Sequence, residues 1–312
     1  MNIFSNKQQL IPRWLGVSAI ALIGMLNPTV ANAAGFVTEI KEFDLNFDFD
    51  PNGKKITSPN AGNALGIGNQ WQEWGVNISA NVKNNPNQSE PLLLFNSNPN
   101  TYTGGDNDLM TGKSQWGTTT QNNVLIIQED GWQKTNAQVV GVKNANDPDD
   151  EANGGWITFD FFDSPVNFKE FSLLDMDDDQ DSRGNYLEVF LWDKDGNQFM
   201  IDALSLVEGH YNQYVGLTSD AVNGYQKSYT SNNVTITQDS KVRGDNSMYT
   251  FRTSYVDITK VQYRYPGSGA IAGLKWEKEI RKQVPEPGAG LSVLLVGSVF
   301  IRSVRKRQQH LC

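Results

Sequence analysis

One cysteine and two histidines in 312 residues close off several chemistries at once. The lone thiol, Cys312, cannot form an intrachain disulfide, so an oxidising compartment offers this fold no covalent brace. His210 has only His310, near the C-terminus, as a possible histidine companion, which removes histidine-based zinc sites and facial triads. A serine-hydrolase triad would rest on His210 alone, in Glu208-Gly209-His210-Tyr211, and no Gly-x-Ser-x-Gly elbow accompanies it. Long hydrophobic runs are missing too. Trp14–Leu26 and Ala289–Ile301 reach 13 residues each, where a full membrane span takes about 20. Between them no stretch sustains a period of 3.6, which argues against a helical bundle.

What is present begins at the ends. Lys7 and Arg13 precede the first apolar run, and Ala31-Asn32-Ala33 supplies small residues for a cleavage site before Ala34. That is the pattern of a secretory signal peptide over residues 1–33. At the other end come Val284-Pro285-Glu286-Pro287, the second apolar run, and a basic cluster of Arg302, Arg305, Lys306 and Arg307. Physical reasoning keeps that cluster cytoplasmic and puts the preceding domain outside. The three parts in this order resemble the PEP-CTERM sorting signal of Gram-negative bacteria. The resemblance implies recognition by an exosortase, transient anchoring in the inner membrane through a C-terminal hydrophobic helix, removal of the tail, and delivery to the cell surface or beyond.

The chain then divides into a signal peptide (1–33), a domain (34–276), a charged spacer (277–283) and the sorting signal (284–312). Six of the 26 Lys and Arg and one of the 35 acids belong to the terminal segments, so the exported part has 14 more acids than bases. Such a surface repels nucleic acid and anionic lipid and suits cations.

The domain reads as all-β. Asn123–Gln128, Trp156–Phe162, Asn167–Leu174, Tyr186–Trp192, Gln198–Ala203, Asn233–Gln238 and Tyr255–Tyr265 are rich in aromatic and β-branched residues and bounded by Gly, Asn, Asp and Pro. In the second of these, Ile157, Phe159 and Phe161 share the core face. Asp193-Lys194-Asp195-Gly196-Asn197 predicts a hairpin turn, and regions 51–70 and 84–122 read as loops. Length and strand spacing favour a two-sheet antiparallel β-sandwich of jelly-roll type. Phrases such as Gly104-Gly105-Asp106-Asn107-Asp108-Leu109 and Gly267-Ser268-Gly269-Ala270-Ile271 also resemble a domain that recurs upstream of such sorting signals, which implies the same single sandwich.

Acidic loops carry the candidate chemistry. Asp175, Asp177, Asp179 and Asp181, with Glu188 beyond them, have the spacing of oxygen ligands to calcium. Ser182 stands where an EF-hand needs glycine, and the flanks read as strands, so a calcium site on an inter-strand loop is the expectation. Asp147-Pro148-Asp149-Asp150-Glu151 and Asp106-Asn107-Asp108, each beside a Gly-Gly pair, are further contributors. Extracellular polysaccharide is the alternative partner, with Tyr102, Trp116, Tyr211 and Tyr214 as candidate sugar-facing aromatics and Trp71, Trp74 and Trp132 as either rim or core. Paired-carboxylate glycosidase chemistry needs only two acids at the right distance, a condition 34 acids meet too easily to argue from. The reading is non-enzymatic, structural or adhesive.

Overall fold

In the computed structural model, Gly155–Phe161 is a strand whose odd-numbered residues are buried and whose even-numbered ones are half-buried or exposed. The alternation of the sequence has become the two faces of a sheet. The structure describes residues 35–56, 66–82, 85–101, 106–136, 138–144, 148–176, 187–203, 205–207, 209, 228–242 and 245–284. The signal-peptide residues Ala31, Ala33 and Ala34 lie outside these, as do Pro285, Glu286, Pro287 and the basic tail.

The described chain is mostly strand. In order these are β1 (Gly35–Leu45), β2 (Val76–Val82), β3 (Asn85–Glu90), β4 (Leu92–Asn96), β5 (Asn123–Ile127), β6 (Trp132–Thr135), β7 (Gln138–Val142) and β8 (Gly155–Phe161). Then follow β9 (Val166–Leu174), β10 (Glu188–Asp193), β11 (Gln198–Asp202), β12 (Ser228–Ser231), β13 (Val234–Gln238), β14 (Met248–Tyr265) and β15 (Ala270–Val284). A 3-10 helix, Gly66–Trp74, leads into β2. Hydrogen bonds connect thirteen strands into one large antiparallel sheet, and β6–β7 form a second, two-stranded one.

β14 changes partners along its length. Its first half pairs with β13 and β9, its second with β10 and β8. Register shifts around Tyr255 and a left-handed backbone at Asp257 (φ 58°) separate the halves. Irregularities of this kind bend a strand and raise its twist.

The main core gathers inward side chains from most of the large sheet. A second cluster lies on the other face of β4 and β5, where Leu93, Phe95, Val124 and Ile126 meet Leu109, Val142 and Met248. Burial on both faces explains the unbroken apolar runs Leu92–Phe95 and Val124–Ile127.

The seven strands read from sequence are all present, and the β10–β11 hairpin closes at Asp193–Asn197 with Gly196 at φ 84°. Other expectations need correction. Regions 51–70 and 84–122 contain the start of the 3-10 helix, β3 and β4. Residues 277–283 are no spacer: β15 runs through them to Val284. They look like a linker because they are charged, but Lys278 is buried, its ammonium held by the Asp163 carboxylate and the Trp74 carbonyl.

Phe171 stacks on Phe251 at 4.6 Å and meets Tyr263 edge-on at 5.4 Å, linking β9 to both halves of β14. Phe171→Ala is expected to cost about 3–5 kcal/mol, read as a lower midpoint in urea unfolding with unchanged slope.

Candidate metal centre

Two separate segments bring their acids to one place, a third carries Asp175 nearby, and each is held by hydrogen bonds. Beyond β5, Gln128 is fully buried and bridges Asp150. Its Oε1 accepts the Asp149 N–H at 3.1 Å, the Glu129 N–H donates to the Asp149 carbonyl, and the Glu151 N–H donates to the Ile127 carbonyl. The acidic segment is thus fastened to the end of a core strand. Gly154 (φ 71°) closes it: a Cβ there would stand 2.2 Å from the Tyr265 carbonyl oxygen. Glycine is required for that approach.

The second segment is pinned by Asn246, itself buried with φ 58°. Its Nδ2 donates to the carbonyls of Asn107, Asp108 and Met110 at 2.7–2.9 Å. Leu109 anchors the same loop in the second core cluster, so Asp106 sits at the root of a fixed turn. The third segment follows β9. Asp175 is buried in left-handed backbone (φ 59°), its N–H donates to the Ser247 carbonyl, and its Oδ2 accepts from the Ser268 hydroxyl. The Gly269 N–H donates to Asp150 Oδ2.

One carboxylate oxygen from each of Asp106, Asp149 and Asp150 then lies within 4.8 Å of the others. Two oxygens on one calcium ion are at most about 5 Å apart. A second observation points the same way. Tyr265 is 2% exposed, and among the described residues its hydroxyl has no hydrogen-bond partner. Burial, with the nearby charges of Asp150 and Asp175, pushes its phenol well above the usual tyrosine range. Asp106 Oδ2 is likewise buried without a partner among the described residues.

Asp150 carries most of the electrostatic load. Burial first, then contact with the Asp106 carboxyl and the charges of Asp106 and Asp175, push its pKa up to about 10, with the Gly269 N–H opposing. A carboxyl so placed keeps its proton at neutral pH unless a cation replaces it. The donors are all oxygen, which selects hard cations, and a cluster built from irregular loops suits calcium better than the strict octahedron of magnesium.

Of the ligands expected from sequence, Asp175 is near enough for its charge to act on Asp150 but is not one of the three acids that meet, and Asp177, Asp179 and Asp181 lie outside the described residues. Glu188 is engaged elsewhere, opening β10 and pairing with Arg264. The accessory clusters supply the three acids that meet, Asp106, Asp149 and Asp150. Among the aromatics, Trp116 and Trp71 are buried, Trp74 and Trp132 pack against the cores, and Tyr102, Tyr211 and Tyr214 lie outside the described residues. A sugar-facing role for Trp116 is therefore not supported. Comparison with protein-family models, curated proteins and solved structures finds no match to this chain. Among the described residues no helix is long and apolar enough to cross a membrane.

The pH dependence follows from Asp150. Its carboxyl titrates near 3.8 when unfolded and near 10 when folded, so between these values the folded state holds the extra proton. In chelator, stability should fall as pH rises from about 4 towards about 10. Asp150→Asn should flatten that slope and raise the neutral-pH melting temperature in chelator; a melting series of both chains across this range checks it.

Proposed function

We propose that this chain is an exported surface protein, sorted through its C-terminal Pro-Glu-Pro signal, with a calcium-braced all-β domain of structural or adhesive role among extracellular polysaccharide. The domain is read as a jelly-roll-like sandwich whose two leaves share β14. The observation that carries the cation reading is the meeting of Asp106, Asp149 and Asp150 around a buried carboxyl. Asp175 and the Tyr265 hydroxyl stand alongside. The sorting reading rests on the sequence of the tail. The role is non-catalytic.

The physical logic is linkage. A chain without disulfides gains stability outside the cell by holding an ion that its unfolded form does not bind. At an ion concentration one hundred times Kd the gain is about 2.7 kcal/mol. For a domain of this size that amounts to a rise of about 5–10 °C. Thermal unfolding of the purified chain in millimolar calcium and in chelator should show it, and Asp150→Asn should remove it. Equal melting temperatures in the two buffers would overturn the cation reading.

Sorting is tested separately. Replacing Pro285, Glu286 and Pro287 by alanine should leave the chain membrane-associated with its tail uncleaved, read by fractionation and by the mass of the mature protein. Unchanged processing and display would remove the sorting reading and leave the cation reading intact.

A further inference from the structure

The face of the sheet turned away from the main core is unusual in composition. β2, β8, β14, β10 and β11 are successive neighbours. Register sets Trp156 beside Arg264 and Arg264 beside Glu188, then Thr158, Gln262 and Phe190 in the next row, then Asp160, Lys260 and Trp192. Residues paired in these rows share a face. Their chain neighbours, such as Ile157, Tyr263 and Val189, are buried in the core, so these side chains point out of it.

Three rings form a line there. Trp156 and Phe190 have centroids 6.0 Å apart and Phe190 and Trp192 6.1 Å apart, with interplanar angles of 36° and 34°. All three are half-buried. Cations steady the two ends, with the Arg264 guanidinium 5.5 Å from the Trp156 ring and Lys260 Nζ 3.6 Å from the Trp192 ring. Gln262 Nε2 donates to the Thr158 hydroxyl at 2.9 Å, and Arg264 pairs with Glu188. Asn77 and Asn81 flank the line on β2, and Gln198 and Asp202 flank it on β11.

We propose that this face is a binding platform for a neutral polysaccharide chain. Sugar rings present apolar C–H faces ringed by hydroxyls. A row of aromatics fringed by amides, carboxylates and a guanidinium offers stacking and paired hydrogen bonds at once. Five strands about 4.8 Å apart make a platform about 19 Å wide, which suits an extended chain. A protein partner would prefer a centre depleted of charge, but the middle strand here presents Lys260 and Arg264. Nucleic acid is disfavoured because those cations are matched by Asp160, Glu188 and Asp202 on the same face, on a domain with 14 more acids than bases. The same balance makes a neutral glycan a better fit than an acidic one. The platform is independent of the metal centre and stands whether or not that centre takes an ion.

A ladder of rings and cations also stabilises a sheet, so the test must separate adhesion from architecture. The purified full-length chain is run through native gels containing amylose, xyloglucan or galactomannan, with alginate as the acidic control, in calcium and in chelator below the melting temperature. Retardation by at least one neutral polymer is expected in both buffers, with a change in tryptophan emission when that polymer is added. Trp156→Ala and Trp192→Ala should each weaken retention at least tenfold. Should they fail to fold, Gln198→Ala, which leaves the rings in place, should still weaken it several-fold. No retardation by any neutral polymer, retention by alginate alone, or folded tryptophan variants that bind like the native chain would each overturn the proposal.

Discussion

Everything described here hangs on one strand. β14 must satisfy the backbone of four neighbours, β13 and β9 along its first half and β10 and β8 along its second. No straight strand does this comfortably, and the register shifts around Tyr255 with the left-handed Asp257 are the visible adjustment. The adjustment is itself braced: Lys194 donates its N–H to the Asp257 carbonyl and its ammonium to the Asp257 carboxylate. Beyond the bend β14 divides its side chains cleanly. Val261, Tyr263 and Tyr265 go inward, and Lys260, Gln262 and Arg264 go outward. The acidic cluster adjoins the inward set through Tyr265, and the aromatic row is organised by the outward set.

Legibility in the sequence followed the same division. Strands with one wet and one dry face, such as β8, announce themselves by alternation, as do hairpins closed by an Asp-Gly turn. β4 does not. Its four consecutive apolar residues are buried on both sides, so no period marks them, and the Asn- and Pro-rich residues around it suggest a loop. β15 is concealed for the opposite reason. From Trp276 on, its inward positions include Lys278, whose charge suggests solvent although its side chain is buried and reaches out to the exposed Asp163 carboxylate. A partner more than a hundred residues away cannot be read from local pattern.

The acidic site was half visible in the same sense. Density of carboxylates pointed first to the run from Asp175 to Asp181, because local spacing is all a single sequence displays. What selects a cation site is burial, and that depends on which loops the fold brings together. Asp106 and Asp150 are 44 positions apart in the chain, yet Asn246, just before β14, fixes one loop, and Gln128, just past β5, and Gly154, against the last residue of β14, fix the other. The Gly-Gly pairs beside those acids were a usable signal, since Gly154 is where the backbone must pass within contact of Tyr265.

A buried carboxyl among other acids has three ways to exist: protonated, paired with a basic side chain, or paired with an ion. Elsewhere this fold takes the second course, as with the largely buried pair Arg264 and Glu188. Among the described residues, the groups that shift the titration of Asp150 most are Asp106, Asp175 and the Gly269 N–H. Protonation alone would quiet Asp150, but it would leave the Tyr265 hydroxyl and Asp106 Oδ2 buried without a partner among the described residues. Each such group costs about 1–3 kcal/mol. The proposed divalent ion would offset the charge of the acids, and the waters it carries in would satisfy the remaining oxygens. For stability alone, apolar side chains in place of such a cluster would serve as well or better, so the buried acids are the physical ground on which the proposed ion rests.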